Sequence, residues 1–434
     1  MAFMTESTLA ARAVALDLLR DVLRKSVPLD DAFDAHPGLA GMEARDRGFV
    51  RLLVATVLRR LGQIDAAVEA SLTRPGAPKA TVLDLLRLGA AQLLFLGTPA
   101  HAAVDTAVTL AAERGAAPYK GLVNAVLRRL AREGQAIIAG QDAGRLNTPD
   151  WLWLAWRHAY GTARTRAIVE AHLHEAPLDI TVRDDPAGWA ERLEAALLPT
   201  GTLRRPPGGA VADLPGFAEG AWWVQDLAAS LPAKVMGDVA GRRVYDLCAA
   251  PGGKTAQLCA RGASVVAIDR SARRLERVGE NLARLHLTAE VVAADAATWI
   301  PDEGPADAVL LDAPCTATGA IRRHPDVQRL KTPDDVAKLA RAQGRLLARA
   351  VDLVKPGGLV VYCTCSLQPE EGEAQIDRLL AADDRVERMP VTADELDGLA
   401  EPINGRGEIR TLPGMLAERG GIDGFFVARL RRRA

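Results

Sequence analysis

From Arg242 to the C-terminus, apolar segments of strand length alternate with segments of helical periodicity, and this alternation constrains the fold more than any other feature. The predicted strands cover 242–249, 264–269, 289–295, 307–315, 359–366 and 424–430. The predicted helices between them cover 255–262, 270–285 and 334–354, and a further helix starts at Glu370. Strands joined by crossover helices form an α/β sheet that is mostly parallel, with its chemistry beyond the carboxyl ends of the strands.

The chain before this region is too long to share one core with it, because a length of 434 residues predicts two or three domains. Apolar residues recur at helical spacing in the first part, around 9–23, 49–57, 82–96, 103–112 and 121–130. We therefore predict an all-α N-terminal domain over 1–140. Gly134, Gly140, Gly144 and Pro149 indicate a linker, which opens a region over 141–238 with a small subdomain. The α/β core then covers 239–434.

The second region starts with three closely spaced tryptophans, Trp151, Trp153 and Trp156. They are typical of packing on an amphipathic helix, because aromatic side chains serve mainly cores and interfaces. A base-stacking surface is the alternative interpretation.

Composition excludes several classes of protein. No apolar run approaches the roughly 20 residues of a membrane span, and the first residues do not resemble a signal peptide, so we expect a cytoplasmic protein. Five cysteines, an odd number, favour free thiols over a disulfide framework. The net charge of -1 provides no general attraction to nucleic acid.

A candidate cofactor site follows the first strand of the core. Its loop reads Cys248, Ala249, Ala250, Pro251, Gly252, Gly253 and Lys254, and a predicted helix comes directly after it. Adjacent glycines allow close approach of a ligand, and Asp269 and Asp295 at the next strand ends suit a ribose diol and an adenine amino group. The spacing is not G-x-G-x-x-G, which favours S-adenosylmethionine over a dinucleotide. A purely structural turn is the alternative for the loop alone.

Two thiols are predicted to meet at the same edge of the sheet. The fourth strand leads to Asp312, Pro314 and Cys315, and the fifth leads to Cys365. These strand ends are neighbours in the usual order of such sheets. Zinc binding is an alternative, but no C-x-x-C pair or nearby histidine pattern supports it. Cys259 and Cys363 are interpreted as buried cysteines, Cys363 because strand alternation points it away from Cys365.

Two thiols beside a methyl donor suggest methylation of carbon 5 of cytosine. That carbon becomes nucleophilic only after a thiolate adds to carbon 6, and removal of the carbon 5 proton later expels the thiol. A cation near the cysteine favours the thiolate. Asp312 and Lys254 are candidates to hydrogen-bond the base and make carbon 6 more electrophilic.

The segments DLCAAPGGKT, DAPCTATGAIRRHPD and YCTCSLQPEE resemble, in this order, the signature motifs of bacterial RNA cytosine-C5 methyltransferases. The helical region, with RDRGFVRLLVATVLRR and KGLVNAVLRRLAR, resembles the NusB RNA-binding domain. Together they resemble the Sun/Fmu/RsmB family, which methylates 16S ribosomal RNA. The resemblance implies an all-α NusB-like domain followed by a class I, Rossmann-like methyltransferase domain.

The resemblance also implies residue roles. Cys365 matches the nucleophile of the family, and Cys315 matches the cysteine that assists product release. S-adenosylmethionine is expected to contact Cys248 to Lys254, Asp269, Asp295 and Asp312. DNA cytosine methyltransferases use the P-C cysteine as nucleophile, so the second thiol favours RNA. The family has a small residue without a thiol at the position of Cys363.

Candidate RNA contacts are weaker. Arg322, Arg323 and His324 follow the Cys315 motif, and either hold a phosphate or only shape their loop. Arg59-Arg60 and Arg128-Arg129 are candidates for substrate grip or merely solvated helix faces. The tail adds Arg429, Arg431, Arg432 and Arg433.

Three functions remain open. The first is methylation of a 16S rRNA cytosine by a monomer, the second is the same chemistry on a tRNA or another rRNA position, and the third is a non-catalytic RNA-binding factor. The intact thiol pair and cofactor motifs argue against the third.

Overall fold

The computed structural model describes residues 6–74, 76 and 78–434, so the first five residues lie outside it. The chain divides into two compact units. One unit contains the chain up to His174 together with Ile321–Lys331, and the other contains Glu175–Ala320 and Thr332–Ala434. The expected domain boundaries near residues 140 and 238 do not coincide with this division.

The first unit is helical, as the apolar periodicity predicts. Its helices up to His174 are α1 (Glu6–Lys25), α2 (Leu29–Ala35), α3 (Ala44–Arg59), α4 (Leu61–Ser71), α5 (Ala80–Leu94), α6 (Ala100–Glu113), α7 (Lys120–Ala139), α8 (Ala143–Asn147) and α9 (Asp150–His172). Leu19, Leu53, Leu86 and Leu127 are fully buried in one shared core. The apolar face of each helix is thus covered by its neighbours.

The linker predicted from Gly134, Gly140, Gly144 and Pro149 is found only in part, because Gly140 and Pro149 lie between helices but the other two glycines do not. Gly134 lies inside α7 and Gly144 inside α8. A Cβ atom at Gly134 would lie 2.4 Å from Cδ2 of Leu94, and one at Gly144 would lie 2.6 Å from Cγ2 of Val169. These glycines allow close packing of helices and do not interrupt the chain.

Two of the three tryptophans of α9 are part of the protein interior, whereas Trp151 is half-buried. Trp156 is completely buried, and Trp153 is 8% exposed. The guanidinium groups of Arg145 and Arg166 lie over the Trp153 ring. This arrangement confirms the packing interpretation for these two residues.

The second unit begins with a small antiparallel sheet of four strands in the order β2-β3-β1-β4. Its elements are β1 (Leu178–Val182), α10 (Pro186–Arg192), β2 (Ala196–Leu197), β3 (Leu203–Arg205) and β4 (Trp222–Val224). A buried ion pair ties β1 to β3, because Nε of Arg204 lies 2.7 Å from Oδ1 of Asp179. This sheet falls within the small subdomain predicted over 141–238.

The large sheet contains eight strands. Its first part comprises α11 (Leu227–Lys234), β5 (Arg243–Leu247), α12 (Gly253–Ala260), β6 (Ser264–Asp269), α13 (Ala272–Arg284), β7 (Glu290–Ala293) and β8 (Ala306–Asp312). After the short α14 (Val327–Leu330), which belongs to the first unit, come α15 (Pro333–Leu353), β9 (Val354–Thr364), α16 (Glu373–Ala382), β10 (Val386–Arg388), β11 (Ile409–Thr411) and β12 (Phe425–Arg432).

The strand order is β10-β12-β9-β8-β5-β6-β7, with β11 also paired to β12. The pairs from β9 to β7 are parallel, whereas β12 is antiparallel to its neighbours. The predicted α/β domain with a mostly parallel sheet is therefore confirmed. None of the helices in the described part of the chain is long and apolar enough to cross a membrane.

Candidate functional site

The two thiols meet beyond adjacent strands. β8 and β9 pair in parallel with Asp312 opposite Cys363, so the segments that leave them start side by side. Cys315 lies three positions after β8, and Cys365 directly follows β9. Their Sγ atoms are 3.5 Å apart, and both residues are partly buried. The juxtaposition predicted from the sequence is therefore confirmed.

The surroundings of Cys315 favour its protonated form. Its pKa lies well above the ordinary value, because its thiol is hydrogen-bonded with that of Cys365, because it is buried, and because the Glu371 carboxylate is nearby. A thiolate on one of two adjacent sulfur atoms disfavours a second charge on the other. The pair therefore suits one thiolate and one proton-bearing thiol.

An ion pair lies at the carboxyl end of β8, three residues before Cys315. Nζ of Lys254 is 2.7 Å from Oδ2 of Asp312, with the lysine 11% and the aspartate 30% exposed. Burial disfavours the ammonium group, but Asp312, together with Cys363 and Asp246, outweighs this effect and raises the pKa of Lys254. Both groups predicted to act on the base thus lie together in one ion pair.

Cys363 is fully buried, as predicted, but it is not remote from the site. Its Sγ atom lies 3.5 Å from Oδ1 of Asp312. Burial and the Asp312 charge raise the pKa of its thiol. The expectation that strand alternation points Cys363 away from Cys365 is wrong, because residues two positions apart along a strand lie on the same face, and both side chains pack in the same apolar cluster.

The loop from Cys248 to Lys254 joins β5 to α12 at the same edge. Gly252 has a φ of 99°, and a Cβ atom there would lie 3.1 Å from Cγ1 of Val278. A larger residue would therefore be strained in conformation and crowded. Asp269 ends β6 and holds this loop, because its Oδ2 accepts a hydrogen bond from the Ala250 N–H at 3.3 Å. Asp295 is exposed beyond β7.

Sequence reasoning missed Asp246, the first residue of the DLCAAPGGKT motif. Its carboxyl group is buried and accepts a hydrogen bond from the Thr255 hydroxyl at 2.5 Å. Burial, with a smaller contribution from the other carboxylates, raises its pKa to about 7. Its position at the start of the DLCAAPGGKT motif is the sequence feature that could have identified it.

The carboxyl groups around the loop from Cys248 to Lys254 show which chemical groups of S-adenosylmethionine could be bound there. Burial, with the charges of Asp312, Asp269 and Asp246, raises the pKa of Cys248 to about 12. These carboxylates only accept hydrogen bonds and concentrate negative charge. A positively charged sulfonium and a ribose diol, which only needs acceptors from the protein, therefore match the groups present.

The remaining cysteine, Cys259, is half-buried on α12, and its Sγ lies 3.3 Å from the carbonyl oxygen of Thr288. Within the ranges that the structure describes, no group of three or more His, Cys, Asp or Glu side chains is placed to hold a metal ion.

The structure corrects the expectation for Arg322. The segment Ile321–Lys331 is part of the helical unit, where Arg322 is 2% exposed and its carbonyl oxygen accepts a hydrogen bond from Arg59 at 2.9 Å. Nδ1 of His324 lies 3.3 Å from Oδ2 of Asp30, and Arg323 is half-buried. Burial makes a phosphate contact by Arg322 incompatible with this arrangement and favours the alternative that the segment is structural.

The other two predicted arginine pairs differ in their exposure to solvent. Arg59 is buried, and Arg60 donates to the carbonyl oxygen of Leu173 at 2.8 Å. Arg128 and Arg129 remain on the outside of α7, where Arg129 pairs with Glu133 at 2.8 Å.

The C-terminal arginines do not form one exposed basic cluster. Arg429 is buried and ion-paired with Glu395 at 2.5 Å, and Arg432 donates to the carbonyl oxygen of Val354 at 2.7 Å. Arg431 and Arg433 are exposed, and Arg433 lies 3.5 Å from Glu387.

Comparison with known proteins covers both units. A family model described as 16S rRNA methyltransferase RsmB/F matches residues 234–431, and the NusB family model matches residues 9–132. Ribosomal RNA small subunit methyltransferase B of Vibrio cholerae is 37% identical over 452 residues, which cover all of both chains. The protein of the same name from Pseudomonas putida is 37% identical and covers 97% of both chains.

Solved structures show the same fold. The crystal structure of PH0851 has a TM-score of 0.77 at 22% identity and covers 99% of this chain and 100% of its own. A methyltransferase homologue from Pyrococcus horikoshii has a TM-score of 0.56 at 26% identity, over 66% of this chain and 96% of its own.

Proposed function

The chain belongs to the 16S rRNA methyltransferase RsmB/F family, and from this premise we propose that it methylates carbon 5 of a cytosine in 16S ribosomal RNA. Its RNA methyltransferase activity depends on S-adenosylmethionine. The observation that carries the proposed chemistry is the distance of 3.5 Å between Sγ of Cys315 and Sγ of Cys365.

Cys365 is the proposed nucleophile. It loses its proton to solvent, and the thiolate electron pair forms a bond to carbon 6 of the base, which makes carbon 5 nucleophilic. When bound, S-adenosylmethionine supplies the methyl group from a positively charged sulfur, which keeps the electron pair of the broken bond. Carbon 5 then loses its proton to water, the ring double bond forms again, and the bond between carbon 6 and Sγ breaks.

Cys315 assists the last step. Its raised pKa keeps a proton on its sulfur, at hydrogen-bond distance from Sγ of Cys365. A thiol that donates to the departing thiolate stabilises the charge that develops there. Without this donor, addition to the base still proceeds, whereas elimination becomes slow.

Lys254 and Asp312 are proposed to bind the base. Their ion pair offers an ammonium donor and a carboxylate acceptor within one partly buried site. The acceptor suits the exocyclic amino group of cytosine, and the donor suits a ring atom that gains negative charge after addition. Charge-assisted hydrogen bonds of this kind favour the adduct over the free base.

Asp269 and Asp295 are proposed to hold the ribose and adenine of the cofactor, and the loop from Cys248 to Lys254 its methionine part. Two relatives carry the name ribosomal RNA small subunit methyltransferase B, which supports 16S rRNA over a tRNA. The enzyme must act on an unpaired cytosine or flip the base out of its stack. Cytoplasmic location and a monomeric state stay predictions.

The thiol roles make a sharp prediction. Cys365→Ser should abolish methylation of unmodified 16S rRNA, because serine is a poor nucleophile at neutral pH. Cys315→Ser should instead accumulate a covalent protein–RNA adduct that survives denaturing electrophoresis. Cys259→Ser is the matched control, since this half-buried thiol on α12 should leave methylation unchanged.

The same samples test the substrate. Mapping of 5-methylcytosine on naked 16S rRNA, on the small-subunit particle and on tRNA identifies the RNA that is modified. An adduct with Cys365→Ser and none with Cys315→Ser would reverse the thiol roles. The absence of product on every RNA would contradict the proposed function.

A further inference from the structure

Glu371 is a carboxylate buried beneath the thiol pair. It ends the short 3-10 turn Pro369–Glu371, six residues after Cys365, and its side chain is completely inaccessible to solvent. A buried carboxylate is costly unless hydrogen-bond donors surround it. The identity of those donors therefore indicates why the fold keeps it there.

The donors come from the residues that flank the two thiols. The backbone N–H of Thr316 donates to Oε1 of Glu371 at 3.0 Å, and the Thr316 hydroxyl donates to Oε2. The Ser366 hydroxyl donates to Oε2 at 2.5 Å. Thr316 follows Cys315 and Ser366 follows Cys365, so one carboxylate binds the residue after each cysteine.

Gln343 completes the arrangement from α15. Its Nε2 atom donates to Oε1 of Glu371 at 3.0 Å and to the carbonyl oxygen of Pro314 at 2.9 Å. Because Pro314 precedes Cys315, the Cys315 loop is held on both sides of its thiol. The two loops also bond directly, since the Gly319 N–H donates to the carbonyl oxygen of Cys365 at 3.0 Å.

We propose that Glu371 is a positioning residue, which holds the Cys315 and Cys365 loops together so that their thiols stay within hydrogen-bond distance. The inference rests on the proposed function only in giving these thiols a catalytic role. Loss of the carboxylate removes the acceptor that Thr316 and Ser366 share, and leaves the loops joined only by weaker ties such as the contact of their hydroxyl oxygens at 3.2 Å and the Gly319–Cys365 bond. The thiols are then held less firmly together, and methyl transfer slows without a change in cofactor affinity.

A second consequence concerns the charge. The Glu371 carboxylate and the Cys365 thiol both contribute to the raised pKa of Cys315. Titratable groups near Glu371 include Tyr362, whose hydroxyl donates to the Glu371 carbonyl at 2.7 Å, and Arg410, which is ion-paired with Glu373 at 2.7 Å. The Lys254–Asp312 ion pair lies at the start of the Cys315 loop. Neutralising Glu371 should therefore make Cys315 ionise at lower pH.

The test compares Glu371→Gln with Glu370→Gln, which removes the same charge from the exposed neighbouring residue. Alkylation of each cysteine by iodoacetamide is followed by peptide mass spectrometry from pH 6 to 10, without RNA or cofactor. In Glu371→Gln, the alkylation profile of Cys315 should move to lower pH, because the hydrogen bond with Cys365 that raises its pKa is weakened and the nearby carboxylate charge is removed. Glu370→Gln should match the wild type.

Kinetics provide the second measurement. Glu371→Gln should lower kcat at least about thirtyfold, with KM for S-adenosylmethionine within about threefold, because the carboxylate acts on loop position and not on the cofactor. Thr316→Val, which removes only the hydroxyl donor of one loop, should give a smaller change in the same direction. It serves as the second variant if Glu371→Gln does not fold.

An unchanged Cys315 profile in a folded Glu371→Gln protein would overturn the positioning role. Since alkylation needs no substrate, this outcome is independent of the proposed function. If the wild-type protein methylates no RNA but the Cys315 profile of Glu371→Gln is still shifted, the proposed function is refuted. Glu371 would then still be the residue that holds the two loops together.

Discussion

His172 makes the stability of the helical unit depend on pH. It lies at the end of α9, 5% exposed, with its ring edge-on to Trp156 at 5.5 Å between centroids. In the described part of the chain, neither ring nitrogen has a hydrogen-bond partner. Burial, together with the charges of Arg322 and Arg59, lowers its pKa from 6.5 to about 3.

The direction of the effect follows from this pKa. The folded protein keeps His172 neutral, whereas the unfolded chain takes up a proton as the pH falls below 6.5. Stability is therefore complete above pH 6.5 and is lost progressively as the pH falls toward 3. From the two pKa values, the free energy of unfolding decreases by about 0.8 kcal/mol at pH 6 and about 2 kcal/mol at pH 5, relative to pH 8.

Hydrogen exchange of the α9 amides, measured by mass spectrometry on the full chain and corrected for intrinsic rates, reports this free energy locally. His172→Leu removes the titrating group, so the variant should lack about 2 kcal/mol of the wild-type decrease between pH 8 and pH 5. His174→Leu, at an exposed histidine two residues away, should keep the wild-type dependence. An equal decrease in wild type and His172→Leu would refute the reasoning.

Two further predictions concern the cofactor loop and the third thiol. Asp269→Asn should weaken S-adenosylmethionine binding at least about tenfold, measured by calorimetry, because one acceptor oxygen becomes a donor in a buried site. The control variant Asp302→Asn, at an exposed residue, should bind the cofactor as the wild type does. Equal affinities for Asp269→Asn and wild type would exclude Asp269 from the cofactor site. Cys363→Ala should retain methylation within about threefold, because the buried thiol resists ionisation, and a Cys315→Ser/Cys363→Ala double variant should still form the adduct. A missing adduct in that double variant would identify Cys363 as the nucleophile.

The α/β unit could be predicted from sequence because each strand carries a local signal. β6 and β8 were expected over 264–269 and 307–315 and are found at Ser264–Asp269 and Ala306–Asp312. A parallel sheet with crossover helices then permits few strand orders, so motifs at successive carboxyl ends converge. The meeting of Cys315 and Cys365 therefore followed from strand pattern alone.

Features set by tertiary packing could not be predicted in this way. Gly134 and Gly144 have the same local appearance whether they end a helix or admit the side chain of another helix. Arg322 likewise has the composition of an exposed loop residue, although it is buried in the helical unit. Sequence spacing contains no information on which side chain lies across from these positions.

The difference between the two thiols illustrates the same limit at the centre of the site. Each cysteine follows a strand, and each is followed by a hydroxyl residue, Thr316 or Ser366. Nothing in that pattern distinguishes the proposed nucleophile from the thiol that is proposed to keep its proton. In the structure, the hydrogen bond with Cys365 and burial oppose ionisation of Cys315, and the charge of Glu371, which accepts hydrogen bonds from both hydroxyl residues, adds to this effect. The group that holds the thiols together therefore also helps to make them unequal, and replacing it should affect their distance and their chemistry at once.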